Sequence, residues 1–347
     1  MSDLSPDALR YPWPDPPAEG AAIQIAEGVL WLRLPLPMAL DHVNVFALDD
    51  GDGWTVVDTG LMSRRGKALW RAILDGPLAG KPLVRVVVTH HHPDHVGLAG
   101  WMQTELGAEL VTTRTAWLFA RMLTLDEQDR PTPEALAFFR AAGMDEAIYQ
   151  RRAAERPFNF ADVVAPLPLG FTRVRAGQTI TMGGRVWDIA EGNGHAPEHA
   201  VFFSRDDSLV LGGDQLLPSI SPNLGVYPTE PGADPVTEWL ASCTAFLDIA
   251  RPDHLVLPGH KLPYTGLPLR LRQLVANHHG ALDRLLDHLG QPRQGGDCFA
   301  PLFKREIGDG EYGLALVETV AHLNHLHQAG RVRRRRDGEG AWLWQRV

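Results

Sequence analysis

Up to about residue 260 the apolar positions come in short bursts, too brief for long helices and closed by turn residues. Runs rich in β-branched and other apolar side chains at about 28–33, 43–48 and 54–58 each stop at Gly, Pro or Asp, which predicts strands of one sheet. A helical stretch near 62–75 then leads to an apolar strand at 84–88, expected to be covered on both faces, and the chain leaves it directly into Thr89-His90-His91-His92-Pro93-Asp94-His95. Residues 113–160 are helix-rich, with Pro131, Pro133 and Pro157 as breakers and Leu136, Phe138, Phe139 and Ile148 at loosely helical spacing, so they read as an inserted helical cap. Strands resume at about 171–175, 186–190, 200–204 and 208–212, followed by a helix near 235–249 and a strand at 255–257 that ends in Pro258-Gly259-His260. Two β-rich halves separated by helices predict a layered α+β protein.

Past about 267 the pattern changes. A long helix over 268–289 ends at Gly290, a Gln/Pro/Gly-rich link covers 291–296, and a helix over 312–329 carries Leu314, Leu316, Val317, Val320 and Leu323 as an apolar stripe. Residues 331–336, an Asp337-Gly338 turn and residues 341–344 read as a terminal β-hairpin, and helices followed by a hairpin make a small winged-helix-like module. The expected organisation is a flexible leader over 1–20, a catalytic body over 21–266 holding the cap, and a C-terminal domain over 267–347.

With 347 residues and 44% hydrophobic composition, the chain can bury one large core and still form a small second domain. The first twenty residues show no basic stretch leading into an apolar one, and no run approaches the roughly eighteen apolar residues of a membrane span, so the expected location is the cytoplasm with no membrane partner. Cys243 and Cys298 lie far apart without CxxC spacing and read as buried small side chains rather than a thiolate site. A net charge of −9 argues against non-specific coating of nucleic acid, with one local exception in Arg331 and Arg333 to Arg336.

The chemistry concentrates in His90, His92, Asp94 and His95. No helix or strand face would aim all four at one point, but a loop leaving a strand can, and nitrogen and oxygen donors without Cys suit Zn²⁺ while remaining compatible with Fe or Mn. His195, Asp214 and His260 also sit just past apolar strands, in Gly194-His195, Gly213-Asp214 and Gly259-His260, where glycines permit sharp turns and close approach. Together these are seven donors, enough for two ions with a position open for water. His91 reads as a non-ligand. His199, His254, His278 and His279 carry no metal-like context, and His322, His325 and His327 read as solvated or capping residues on the terminal helix. Lys261 and Tyr264 follow His260 closely enough to reach a substrate.

Thr89 to His95, Gly194-His195, Gly213-Asp214 and Pro258-Gly259-His260, preceded by Val57-Asp58-Thr59-Gly60, resemble the five ordered motifs of the metallo-β-lactamase superfamily, particularly its glyoxalase II-like hydrolase branch. The resemblance spans about 28–265 and implies an αββα sandwich with two metal ions at one edge. It implies that His90, His92 and His195 bind one ion, that Asp94, His95 and His260 bind the other, that Asp214 bridges them, and that Asp58 orients ligands. Two cations sharing a water lower its pKa toward neutrality and supply it as metal-bound hydroxide, while polarising the substrate's carbonyl or phosphoryl oxygen. Asp94 and Asp214 are then the carboxylates best placed to handle protons, with Asp58 behind them.

The tail is similar to that of the β-lactamase-like 2 group, whose relatives include an RNA endonuclease and polyketide-releasing thioesterases. It stands in place of the basic glutathione-binding region of glyoxalase II. Gln215-Leu216-Leu217 follows Asp214 where lactonases of the family place a Tyr, and no extra nuclease domain fits between Asp214 and His260. The leading expectation is hydrolysis of a small ester or thioester. An RNA endonuclease whose tail contacts nucleic acid is the second, and an iron-dependent oxidoreductase of the same fold is the third. The expected partner is a small-molecule substrate, with nucleic acid the weaker alternative and a homodimer left open.

Overall fold

The structure, a computed structural model, describes residues 8–347. They divide into two compact units, one taking the chain up to Glu127, Asn159–Pro222 and Leu247–Leu271, the other Gln128–Phe158, Asn223–Phe246 and Arg272–Val347. Residues 1–7 of the expected leader lie outside the described residues. Over 8–20 the chain is tied down, by an Arg10 backbone pair with Thr265 and by Arg65 Nη2 on Glu19 at 2.6 Å.

In the first unit the chain forms β1 (Ile23–Ala26), β2 (Val29–Pro35), β3 (His42–Asp49), β4 (Trp54–Val57), α1 (Arg64–Asp75), β5 (Leu83–Val87), α2 (Pro93–Val96), α3 (Ala99–Glu105), β6 (Glu109–Thr112) and α4 (Arg114–Leu125). Helices α5 (Pro133–Ala141) and α6 (Glu146–Ala154), which belong to the second unit, intervene before β7 (Thr172–Arg173). Strands β1 to β7 make a seven-stranded sheet in sequence order, antiparallel to β4 and parallel from there on. A five-stranded sheet follows from β8 (Thr179–Met182), β9 (Arg185–Gly192), β10 (His199–Ser204), β11 (Leu209–Gly213) and, after α7 (Pro235–Leu247), β12 (Leu255–Pro258), which pairs parallel with β11.

The period-two alternation sorts residues between two apolar layers. On β2, Val29 and Trp31 face the second sheet, where they meet Trp187, Phe202 and Leu211, whereas Leu32 and Leu34 face helices α1 and α3 with Trp70, Ile73 and Trp101. On β3, Phe46 and Leu48 take the inner layer and Val43, Val45 and Ala47 the outer. Double coverage explains why these strands read as nearly continuous apolar runs. The strand expected at 84–88 is covered on both faces only from Val86 onward: Val84 is 39% exposed, and the Arg85 guanidinium reaches Glu109 Oε2 and the Thr181 carbonyl.

The second unit gathers α5, α6, most of α7, the bulk of α8 (Leu267–His288), a short α9 (Phe299–Phe303), α10 (Tyr312–Gln328) and a hairpin of β13 (Val332–Arg336) and β14 (Trp342–Arg346). Thus 128–158 of the stretch expected as a cap clusters with the C-terminal segment, while α4 stays with the sheets. Leu316, Val317, Val320 and Leu323 of α10 are buried, as the stripe implied, but Leu314 is 55% exposed. Among the described residues no helix is long and apolar enough to cross a membrane.

Candidate metal centre

The candidate residues lie at or just past C-terminal strand ends: Asp58 after β4, His90 to His95 beyond β5, His195 beyond β9, Asp214 after β11 and His260 beyond β12. Strands drawn from two stacked sheets bring these loops to one edge of the first unit. All seven sequence-predicted donors meet there, in overlapping groups His90/His92/His195, His90/His95/Asp214 and Asp94/His95/His260, each with donor atoms within 4.8 Å of one another.

His92 Nδ1 lies 3.0 Å from both His90 Nε2 and His195 Nε2. On the other side His260 Nε2 stands 3.3 Å from Asp94 Oδ2, and His95 Nε2 stands 3.6 Å from the same oxygen. Asp214 lies between: its carboxylate is 3.5 Å from His195, 3.4 Å from His95 and 3.2 Å from His260. The approach demands glycine, since a Cβ on Gly259 would sit 2.2 Å from Asp214 Oδ1, and one on Gly213, at φ +47°, only 2.5 Å from His199 Cε1.

The far nitrogens of the rings are also occupied. His95 Nδ1 lies 2.8 Å from Asp58 Oδ2, His260 Nδ1 2.7 Å from the His42 carbonyl, and His90 Nδ1 3.0 Å from Thr89 Oγ1, whose hydroxyl in turn donates to Asp58. Acceptors at Nδ1 keep the proton there and turn each Nε2 lone pair toward the centre, the arrangement a ligand histidine needs. Asp58 also accepts the Thr89 N–H, so it fixes the start of the His-rich loop as well as one of its rings.

Burial, reinforced by neighbouring imidazoles, pushes His90 and His92 well below the usual histidine range and leaves them neutral. At His95 and His260 burial acts in the same direction, but Asp214 and Asp94 outweigh it, with Asp58 adding to the effect at His95. They raise His95 well above its ordinary value and His260 to about 10. The carboxylates therefore favour positive charge where the ring nitrogens converge. His95 Nε2 and Asp214 Oδ1, both buried, make no hydrogen bond. Neutral imidazoles at His90 and His92 with nitrogens 3.0 Å apart, buried carboxylates and two buried polar atoms without a hydrogen bond are a donor set that fits divalent cations.

His91, expected to stand outside the ligand set, joins none of the groups; its ring packs 5.1 Å from Phe119 and 6.4 Å from Phe160. His199 is what sequence reasoning missed. It is fully buried, stacks on His90 at 4.5 Å, and its Nε2 accepts the Asp214 N–H at 3.1 Å, so it supports two donors at once. Its place four residues after His195, opening the next strand, was the available signal. Tyr264 does not face a substrate: it is buried, and its hydroxyl donates to the Leu216 carbonyl. His322 is likewise buried rather than solvated.

Residues 38–260 match the family model described as Metallo-beta-lactamase superfamily, and residues 282–347 match Metallo-beta-lactamase-like, C-terminal domain. The chain is similar to a Bacillus subtilis (strain 168) protein named Probable metallo-hydrolase YqjP, at 25% identity over 308 residues covering 86% of this chain and 92% of that protein. Among solved structures it resembles a Burkholderia ambifaria beta-lactamase domain protein at 34% identity and TM-score 0.89, with 98% of each chain covered. It also resembles a metallo-beta-lactamase family protein of Thermus thermophilus at 26% identity and TM-score 0.77, covering 93% of this chain and 100% of the other.

Proposed function

Since the chain belongs to the metallo-β-lactamase superfamily, we propose that it is a dinuclear metallo-hydrolase acting on a small ester or thioester. The observation that carries the reading is Asp214, whose carboxylate lies within 3.5 Å of His195 on one side and 3.4 and 3.2 Å from His95 and His260 on the other. His90, His92 and His195 would hold one divalent cation, Asp94, His95 and His260 the second, with Asp214 shared and Zn²⁺ first among the candidate metals. When bound, the ions supply Lewis acidity and an acidified water.

The remaining work falls to the chain. Asp58 holds the His95 proton on Nδ1 and orients the ring. Asp94, with its side chain 19% exposed against 3% for Asp58 and 9% for Asp214, is the carboxylate open enough to take up the proton released as water adds to the carbonyl and return it to the departing alkoxide or thiolate. Leu118, Met122 and Leu125 leave an apolar, exposed stripe on α4, the helix whose Phe119 abuts His91, and this favours an apolar acyl group. Hydrolysis of p-nitrophenyl esters and acyl thioesters, lost on chelation and restored by Zn²⁺, is the expected result. Inactivity on every acyl substrate of a broad panel, by protein shown to contain metal, would refute the proposal.

A second reading, cleavage of RNA, rests on Arg333 to Arg336. These four consecutive exposed arginines on the terminal hairpin make no ion pair among the described residues, and Arg334 stacks on Trp342 and Trp344. Replacing all four with Ala should then abolish RNA binding, and unchanged binding rejects the role.

A further inference from the structure

Lys261, next to His260, has φ 70°, a left-handed conformation that lysine rarely adopts. Such a residue persists only where its surroundings over-determine it. Here its N–H donates to His42 Nε2 at 2.9 Å, and its carbonyl accepts from Asn44 Nδ2 at 2.8 Å and Arg33 Nη2 at 3.0 Å.

The same short stretch of β3 holds the other residues of the loop. Asn44 Nδ2 also donates to the Pro258 carbonyl at 2.9 Å, the Asn44 N–H donates to the Gly259 carbonyl at 2.7 Å, and His260 Nδ1 reaches the His42 carbonyl at 2.7 Å. Each residue from 258 to 261 is thus bonded to His42 or Asn44. The clamp is itself fixed from behind. Asn44 is buried, and its Oδ1 accepts from Trp31 Nε1 at 2.9 Å and Arg33 Nε at 3.3 Å, so both ends of the amide are used. His42 Nε2 acts as an acceptor, which places its proton on Nδ1, 2.6 Å from Asp41 Oδ1.

We propose that His42 and Asn44 are positioning residues for His260, forming a clamp that keeps Lys261 left-handed and so decides whether the Asp94/His95/His260 group retains its cation. The His90/His92/His195 group takes nothing from β3 in these contacts and keeps its ion without the clamp. The inference rests on the dinuclear reading above, and the test separates the two.

The full chain is reconstituted with Zn²⁺, dialysed against metal-free buffer, and its zinc per chain measured by mass spectrometry, with folding followed by circular dichroism. His260→Ala supplies the reference for loss of that ion. Asn44→Asp keeps the acceptor for Trp31 and Arg33 but removes both side-chain hydrogen bonds to the loop, leaving the Asn44 N–H on the Gly259 carbonyl. It should lose zinc as His260→Ala does, through a fall of about 10- to 100-fold in affinity at that group. Gly338→Ala, which adds a carbon with nothing within 4 Å of it, is the control and should keep the wild-type content. Adding Lys261→Gly to Asn44→Asp should restore the zinc, because glycine takes the left-handed conformation unaided. Should Asn44→Asp not fold, His42→Ala removes the acceptor for the Lys261 N–H and is read the same way.

If His260→Ala loses an equivalent while Asn44→Asp holds zinc like wild type, the clamp is refuted and the dinuclear reading stands. Equal loss in Gly338→Ala and Asn44→Asp, or no recovery with Lys261→Gly, also overturns it. If wild type and His260→Ala hold the same zinc, the dinuclear assignment fails and the clamp falls with it.

Discussion

Replacing Gly259 with Ala isolates the tight approach at the centre. Its φ is not in the left-handed region, so the methyl costs nothing in backbone strain, but it would stand 2.2 Å from Asp214 Oδ1 and 2.8 Å from His95 Cε1. Ordinary contact begins near 3.4 Å, so the carboxylate or the loop must give way by 3.4 − 2.2 = 1.2 Å. Asp214 is held on three sides by histidines, and moving it moves the group shared by both donor sets. A displacement of roughly 1 Å in a catalytic constellation costs about 100-fold in rate, or about 2.7 kcal/mol of barrier. The assay is kcat/KM on the best ester or thioester substrate, with zinc content measured on the same preparation. Gly338→Ala serves as control, since nothing lies within 4 Å of the added carbon. If Gly259→Ala keeps full zinc and activity within about threefold of wild type, the argument that the glycine is required by this contact is wrong.

Further outcomes follow from the same structure. Asp58→Asn, which disturbs the bond to His95 Nδ1 at 2.8 Å, should weaken zinc binding by about 10- to 100-fold, and an unchanged dissociation constant would remove Asp58 from its orienting role. Chelation should lower Tm, because it leaves buried carboxylates and imidazoles without their cations; equal melting of metal-free and zinc-loaded protein would count against binding to the folded site. Burial and neighbouring histidines lower His278 to about 3, and burial lowers His322 to about 4, against 6.5 for a free ring. Below about pH 6.5 the unfolded chain takes up protons that these folded rings refuse. Stability is therefore lost as pH falls toward about 4, by up to about 1.4 kcal/mol per pH unit for each ring, and is recovered above about 6.5. His278→Leu should flatten that slope measured by denaturant titration, and an unchanged slope would show that the ring does not contribute.

Much of the site was legible because its donors follow apolar strands in compact motifs. The HxHxDH run is local, and the later donors each carry a glycine that the close packing demands, as Gly213 and Gly259 show. The supports were not legible. Asn44 and His42 lie more than two hundred residues before the loop they hold, and nothing in a buried strand marks which polar residue reaches across. His199 opens an apolar strand four residues after His195, a signal too slight by itself to separate it from a core histidine. In the fold, apolar runs gave even four-residue strands such as β4 and β12 away, whereas β1, β6 and β8, of the same length, mix polar with apolar residues, and α3 carries four consecutive buried residues, Ala99 to Met102, rather than a clean stripe. The grouping of 128–158 with the C-terminal segment depends on tertiary packing, such as the Phe138 ring 6.1 Å from Trp342, and no local pattern announces it.

Three of the four non-glycine residues with positive φ among the described residues, Asp58, Glu198 and Lys261, flank the histidine cluster. Each costs the native state about 1–3 kcal/mol. An engineering campaign that screened only for heat resistance would find these positions early, since glycine there relieves the backbone, but at Asp58 the gain would also remove the carboxylate that orients His95. Libraries meant to harden this enzyme should hold the Asp58 codon fixed and look for gains elsewhere.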